Sequence, residues 1–495
     1  MRFLFVIWLA LAACELQPSG CEPVGSDPQV PSPSMGEAAA EYFIPRPSLV
    51  ELGPAAQRLL AEAGSGSLCL TLPPIEGTSG DLDFRVDGSR LCQPLKTLSV
   101  GPQSRRLEVA AEFDTLDSSL MVAIHPGDPV KTCQLRIRLP STRLRVDLEP
   151  AAGEPRLVPA AEAIWEAGGA EVSLSDRCPL PAPGDLTGEV VQRIESALAE
   201  AARPTAEALI DGIQKAAGLA GTARGAWTGP ASDGRLDFAL LPAANGLTLD
   251  DAGLHLLFSG GFYGSPSACA PIDLLPWPPA SSAPLWDFSP AGGQSFALGV
   301  SLDPALAAQA LGEALRAGLL CRPAVQGMTL PLDDLLPSLF GSFADPAARV
   351  AIWPGGPVTV SLLPSRPESP IRFSVGFQKL ELDVFARLLG GEARILALDV
   401  DVAAELALDP NATAPRFSLA EETATRIEIR HSALLSEGAG DLRTRAAALI
   451  QRLAGLAVAE LSPLPWEAPE VGRGSRMAME ARKGRLVFFF DAYRP

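Results

Sequence analysis

Histidine occurs three times in 495 residues, at positions 125, 255 and 431. His125 stands before Pro126 and Gly127, His255 in a strand leading to Phe262, and His431 after Ile427 and Ile429. Each reads as a turn or buried structural histidine, because none has a nucleophile in a recognisable partner motif. The chain has no GxSxG elbow, no HExxH, no P-loop and no dinucleotide fingerprint. Hydrolase, metalloprotease and nucleotide-dependent chemistry therefore lack their usual sequence support, and no enzyme is expected. The cysteines form no CxxC pair and have no histidine close by, so no metal is expected. Past the N-terminus, no stretch reaches the roughly eighteen uncharged apolar residues of a spanning helix. Basic residues are the minority, 40 Lys and Arg against 58 Asp and Glu for a net charge of -18. That balance disfavours broad binding to nucleic acid or to anionic bilayers.

What is present begins with Met1, Arg2 and an apolar run from Phe3 to Ala13, which has the shape of an export signal over residues 1–13. Its end, Leu11, Ala12, Ala13, Cys14, resembles the lipobox of bacterial lipoproteins. That resemblance implies an acylated Cys14 as the mature first residue and a membrane attachment that several acyl chains would make permanent. A plain cleaved signal with Cys14 as an ordinary thiol is the alternative. Glu15 resembles the outer-membrane sorting pattern of enteric bacteria, so the expected location is the outer membrane, facing periplasm or exterior. Residues 14–40 are rich in Pro, Ser and Gly and read as a solvated tether. Loss of Arg2 with the signal would take the formal charge from -18 to -19.

Seven further cysteines stand at 21, 69, 92, 133, 178, 269 and 321. An exported chain makes disulfides the default, and an odd number leaves at least one unpaired within the chain, naturally Cys21 in the tether. Cys69 and Cys92 lie in two strand-like stretches separated by a Gly-rich turn and are expected to pair. Connectivity among the other four stays open.

Residues 65–175 alternate apolar and polar at period two, as in Leu82, Phe84, Val86; Leu107, Val109, Ala111, Phe113; and Leu135, Ile137, Leu139. This predicts a meander of half-buried antiparallel strands. After Pro183 the spacing becomes helical through Leu186, Val190, Ile194, Leu198, Leu209 and Ile213, with Pro204 expected to kink a long helix. A Pro-, Gly- and Ser-rich bridge fills 264–294, and then the pattern repeats. A strand covers Phe296–Leu302 and a helix Pro304–Leu320. Strands follow around Val358, Phe373 and Leu396–Leu408, then a second long helix at Asp441–Leu461 and an apolar last strand ending in Phe488, Phe489, Phe490. The class is α+β, with each long helix covered by a twisted sheet. Trp277 and Trp286 in the bridge are expected to be packed. Asp399 and Asp401 share an outward strand face and read as its solvation, with calcium as the alternative.

Four strings then carry a resemblance: IESALAEAARPTAEALIDGIQ (194–214), LDFALLPAANGLTLDDAGLHLLFSGGFYGSP (236–266), FALGVSLDPALAAQALGEALRAGLL (296–320) and IEIRHSALLSEGAGDLRTRAAALIQRLAGLAVAELSPLPWEAP (427–469). In order and spacing they look like successive landmarks of the bactericidal permeability-increasing protein family. That family includes the lipopolysaccharide-binding and lipid-transfer proteins of the tubular lipid-binding superfamily. The match covers about residues 190–495, while 41–185 agree in pattern only. The resemblance implies two elongated barrels, each a twisted antiparallel sheet around a long helix: an N-terminal barrel at 41–235, a central sheet strand with the proline-rich linker at 236–294, and a C-terminal barrel at 295–495. It also implies an apolar pocket for acyl chains in each barrel. The chain departs from the family in lacking the cysteine that usually ties the first long helix to its sheet, and in its acidity.

On this basis the expected function is non-enzymatic lipid binding or transfer, with phospholipid or neutral lipid as partner and no cofactor beyond bound lipid. The expected pocket residues are Val109, Val122, Val190, Ile194 and Leu198 in the N-terminal half. In the C-terminal half they are Leu298, Val300, Leu311, Leu315, Phe373, Val375, Leu449 and Leu453. The alternative for each position is that it simply fills the core. A surface-anchored scaffold with solid barrels that binds protein partners is the rival function. Finally, KTCQLRIRLPSTRLRVD (131–147) reads as a hairpin whose outer face carries Arg136, Arg138, Arg143 and Arg145, either ordinary solvated charge or a ribbon that docks on phosphate headgroups.

Overall fold

The structure, a computed structural model, describes residues 22–23, 36–125, 131–176, 178–181, 183–219, 223–228, 235–265, 284–289, 293, 295–317, 336–339, 349–356, 358–363, 371–388, 391–409, 416–432, 435–461 and 477–490. The chain begins β1 (Glu22–Pro23), β2 (Gly36–Pro45), α1 (Leu52–Glu62), β3 (Ser67–Leu72), β4 (Ile75–Ser79), β5 (Leu82–Val86) and β6 (Ser89–Pro102). It continues β7 (Leu107–Phe113), β8 (Leu116–His125), β9 (Lys131–Leu139), β10 (Thr142–Pro150), β11 (Leu157–Pro159), β12 (Ile164–Ala167), β13 (Glu171–Leu174) and α2 (Pro183–Ala216). Next come β14 (Ala223–Thr228), β15 (Arg235–Leu249), β16 (Gly253–Gly264), β17 (Leu298–Leu302), α3 (Pro304–Arg316), β18 (Arg349–Pro354) and β19 (Val358–Leu362). Last are β20 (Ile371–Leu388), β21 (Gly391–Asp409), β22 (Arg416–His431), α4 (Ala439–Leu461), β23 (Met477–Arg482) and β24 (Arg485–Phe490). Antiparallel sheet with few helices dominates, as the period-two pattern predicts.

Two compact units result. Of the described residues, the smaller holds those within 44–221 and 244–255, and the larger those within 22–43, 222–243 and 256–490. The smaller unit contains two sheets, ordered β11-β10-β7-β6-β3, with β12 also on β10, and β13-β9-β8-β5-β4. Alternation dictates burial: in β9 the side chains of Cys133, Leu135, Ile137 and Leu139 are buried while the residues between them are exposed. Helix α2 touches β3, β10, β11 and β12 of one sheet and β4 and β13 of the other, so its apolar stripe of Leu186, Val190, Ile194, Leu209 and Ile213 is covered from both. It is continuous through Pro204. Helix α1, which the pattern reading does not foresee, packs on α2 and β6. Its approach to β6 is close enough that a Cβ on Gly53 would stand 2.4 Å from the Leu98 carbonyl oxygen.

The hairpin expected at 131–147 does not form. β9 and β10 lie in different sheets, and the chain crosses between them at Pro140 and Ser141 just as it does at Asp114 and Thr115 between β7 and β8. One buried side chain holds both corners. The Gln93 amide, 1% exposed, donates to the carbonyls of Asp114 at 2.9 Å and Pro140 at 3.0 Å, and accepts from the Thr142 hydroxyl. Cys69 and Cys92 are register partners on β3 and β6 and form a disulfide, and a second disulfide joins Cys133 to Cys178. Cys14, Cys21, Cys269 and Cys321 lie outside the described residues, as does Trp277.

The larger unit contains an eight-stranded sheet, ordered β1-β14-β15-β16-β2-β17-β24-β23, and a second sheet, ordered β18-β20-β21-β22 with β19 on β20. Residues 36–40, expected in the tether, instead begin strand β2, where Ala39 and Ala40 are fully buried and Ala40 is the register partner of Leu302. Glu22 and Pro23 pair with Thr228 and Trp227. Small side chains gave this run no apolar signal, yet they suit a strand flanked on both sides. The buried Glu41 carboxylate accepts the N–H groups of Leu285 at 2.7 Å and Trp286 at 3.3 Å. Trp286 itself is 46% exposed at φ 54°, not packed as expected, while its neighbours Leu285 and Phe288 are buried with Phe43 and Phe489. Arg485, 3% exposed, donates to the Ser301 hydroxyl at 2.6 Å and lies 3.5 Å from Asp303, whose other oxygen caps α3 through the Ala305 N–H. Burial lowers the Arg485 pKa from its ordinary value, against the opposing pull of Asp303 and Glu41.

Replacing Gln93 by Leu roughly keeps the volume and strands two part-buried corner carbonyls and the buried Thr142 hydroxyl. At about 1–3 kcal/mol for each unsatisfied group, Q93L should lose roughly 2–5 kcal/mol in urea unfolding, whereas the exposed Gln134→Leu in β9 should change little.

Candidate functional site

Strands β19, β20 and β21 lay down three cross-strand rows on one face: Leu362, Phe373, Leu406; Val360, Val375, Ala404; and Val358, Phe377, Val402. All are apolar because alternation repeats at the same parity in each strand. After the third row β20 carries a bulge between Phe377 and Leu380, with Lys379 at φ 51° and its N–H bonded to the Asp401 carboxylate at 2.8 Å. One extra residue on β20 restores parity, so Leu382 and Val384 continue the face begun by Phe373 and Phe377.

The two ends of this face are covered differently. Beyond the bulge, Leu382, Val384, Ile395, Leu396, Leu398 and Val400 form a closed core with Leu442, Ala446, Leu449 and Ile450 of α4, each between 0% and 6% exposed. Before it, Val358, Phe373 and Val375 are buried, but Leu362, Leu406, Val360, Ala404, Phe377 and Val402 are only half-buried. Helix α3 reaches this end through Leu311, itself half-buried. It is held there from its other side by β16, where a Cβ on Gly261 would stand 2.2 Å from the Gln309 side chain and the Gly264 N–H donates to Glu313 at 2.7 Å. Burial resumes at the far end of the face, where the paired Ile371 and Leu408 are 2% and 0% exposed, so the half-buried rows form a stretch between two covered ends. β20 has 18 residues, about 60 Å at ~3.3 Å each. α4 has 23, about 35 Å at ~1.5 Å each.

The residues expected to line a C-terminal pocket thus fall in three places. Leu311 and Val375 pack in one cluster on the half-buried face with Phe373 in the adjacent cross-strand row, Leu449 sits in the closed core under α4, and Leu298 and Val300 belong to β17 between β2 and β24. The side chains of Leu315 and Leu453 are outside the described set. Sequence reading missed Leu362, Val360, Phe377, Leu406 and Val402, although their in-phase alternation with Phe373 and Val375 was the available signal. In the smaller unit Val109, Val122, Val190 and Ile194 have no exposed surface and so belong to a filled core, while Leu198 is half-buried.

The four arginines divide between two sheets. Arg143 and Arg145 on β10 face Glu166 at 4.0 Å and Glu108 at 3.1 Å. Arg138 on β9 lies 3.9 Å from Asp117 and 3.6 Å from Glu171, while Arg136 has hydroxyl neighbours instead. Asp399 is drawn to Arg430 at 2.6 Å and Asp401 to the bulge, so both have local partners beyond water. His255 is buried 3.9 Å from Asp250. Among the described residues no group of His, Cys, Asp and Glu is placed to hold a metal ion.

No family model matches the sequence, and no curated protein matches it. Among solved structures the chain is similar to the crystal structure of lipopolysaccharide binding protein, at 14% identity over 92% of this chain and 98% of that one, with a TM-score of 0.39. It is also similar to P47 of Clostridium botulinum E1, at 7% identity over 92% and 100% of the two chains with a TM-score of 0.25, and to Takeout 1 of Epiphyas postvittana, at 12% identity over 30% and 75% with a TM-score of 0.16.

Proposed function

We propose that this chain is a non-enzymatic lipid-binding or lipid-transfer protein, exported and tethered to a bacterial outer membrane through an acylated Cys14, and that it holds an acyl chain against the half-buried face of β19, β20 and β21. The observation that carries this reading is that face: apolar rows continue in register past the end of the closed α4 core and are left half-covered beside Leu311. The four sequence strings that resemble lipid-carrying proteins support it independently. The mechanism is desolvation. At ~0.8 kcal/mol per methylene, a sixteen-carbon chain moved from water onto an apolar lining is worth on the order of 10 kcal/mol, with no reactive group required. Phospholipid or neutral lipid is the partner, and nucleic acid is not. The core of the smaller unit gives less to this reading, because Val109, Val122, Val190 and Ile194 already fill their space.

Protein carrying Cys14→Ser, purified from the soluble fraction, should yield near-stoichiometric lipid by mass spectrometry of an organic extract. Clean protein that takes up no fluorescent acyl probe would sink the proposal. Val360→Trp and Leu311→Trp, which fill a half-buried space, should weaken probe uptake at least tenfold with little change in melting temperature. Ile194→Ala, in the filled core, should cost about 2–5 kcal/mol of stability and leave uptake per folded molecule unchanged. The anchor is tested separately: wild-type protein should incorporate labelled palmitate and sediment with membranes, and Cys14→Ser should do neither.

A further inference from the structure

On the exposed face of the sheet β13-β9-β8, two adjacent cross-strand rows line a cleft of ≈ 540 Å³. One row is Ser173, Arg136, Ser119 and the other is Glu171, Arg138, Asp117, each arginine opposite its two neighbours in register. Ile137 lies between them, 1% exposed. Directly opposed residues of an antiparallel pair share a face, and rows two residues apart are separated by about 6.7 Å. The cleft is therefore a positive row with two hydroxyl donors beside a row that carries one more carboxylate than cation.

We infer that this cleft binds a zwitterionic phosphodiester in which a short carbon arm joins the phosphate to a primary ammonium, as in an ethanolamine headgroup. The phosphate sits on the Arg136 guanidinium and the hydroxyls of Ser119 and Ser173, a fork and two O–H donors suited to its oxygens. The ammonium sits between the carboxylates of Asp117 and Glu171. Arg138 gives way readily, because its distances of 3.9 and 3.6 Å and side-chain exposures of 62%, 79% and 74% describe a loose, solvent-screened contact. Two arginines and two carboxylates make the lining neutral overall, so an anion without a cationic arm gains nothing from the field of the cleft as a whole. Among the described residues that line it there is no aromatic side chain, the feature that recognition of a quaternary ammonium uses. A primary ammonium, which donates hydrogen bonds to carboxylates, is favoured over choline. This inference does not rest on acyl-chain binding, since a soluble headgroup carries no acyl chain.

The test is titration of the purified protein with soluble glycerophosphoethanolamine, glycerophosphocholine and glycerophosphoglycerol, read by ligand phosphorus NMR. Wild-type protein should bind the ethanolamine diester most tightly. Arg136→Gln should weaken it at least tenfold, and Asp117→Asn with Glu171→Gln should abolish the preference for ethanolamine over glycerol while retaining phosphate binding. All three side chains are exposed, so circular dichroism should be unchanged. Equal affinities for the three diesters, or wild-type binding by R136Q, would overturn the assignment. Flotation with phosphatidylethanolamine vesicles that R136Q loses would make a lipid headgroup the source; binding of the soluble diester alone would uphold the site with a free diester as ligand.

Discussion

An apolar face has to be covered, and which elements reach it decides where each unit is solid and where it is half-buried. In the larger unit β20 is longer than α4 by about 25 Å, on rises of ~3.3 Å and ~1.5 Å per residue for 18 and 23 residues. Side chains under α4 lose nearly all contact with water, whereas past the bulge at Lys379 the face is half-buried at Phe377, Val360, Leu362 and Leu406 before burial resumes at Ile371 and Leu408. In the smaller unit the relation is reversed. α2, at 34 residues, is about 51 Å long, and the longest strand there, β6, has 14 residues and is about 46 Å long. Strands of both sheets contact α2, in keeping with the zero exposure of Val190 and Ile194 on the helix and of Val109 and Val122 on the strands.

The two-sheet arrangement that lets α2 be covered from both sides depends on corners that turn the chain from one sheet to the other. A corner interrupts the ladder and leaves carbonyl groups facing the interior, where an unmade hydrogen bond is costly. Gln93 satisfies two such carbonyls with a single amide. Within the eight-stranded sheet, buried charge satisfies backbone groups in the same way. Glu41 receives the backbone of the segment at Leu285, and Asp303 caps α3 while facing Arg485. Glu41 and Asp303 both accept backbone N–H groups, a condition under which a charge is tolerated inside.

Charge on the outside follows a different rule. The chain is acidic overall, yet its arginines in β9 and β10 meet carboxylates one strand away, as Arg145 meets Glu108 and Arg138 meets Glu171. At physiological salt such fields fade within about 8 Å, so the local row, not the net charge, sets what each patch attracts. Arg136 differs from its neighbours because the residues opposite it are serines.

Much of this molecule was legible in residue order. Period two placed the strands and their buried faces, as in β9; period 3.6 with Pro183 and Pro304 placed α2 and α3; and Cys69 does pair with Cys92, although what separates their strands is the β4–β5 hairpin of the other sheet and not a single Gly-rich turn. Alternation states which face of a strand is apolar but not which strand lies beside it, so β9 and β10 looked like one hairpin although the Pro140 corner sends them to separate sheets. Hydrophobicity also undervalues small side chains, which is why residues 36–40 looked like tether although they begin a strand inside an eight-stranded sheet. The sequence by itself determined the elements and the sign of each face, because those follow from local backbone geometry and side-chain chemistry. Only the tertiary structure decided that Leu449 is sealed and Phe377 half-open, since exposure depends on how far one element reaches along another that is distant in the chain.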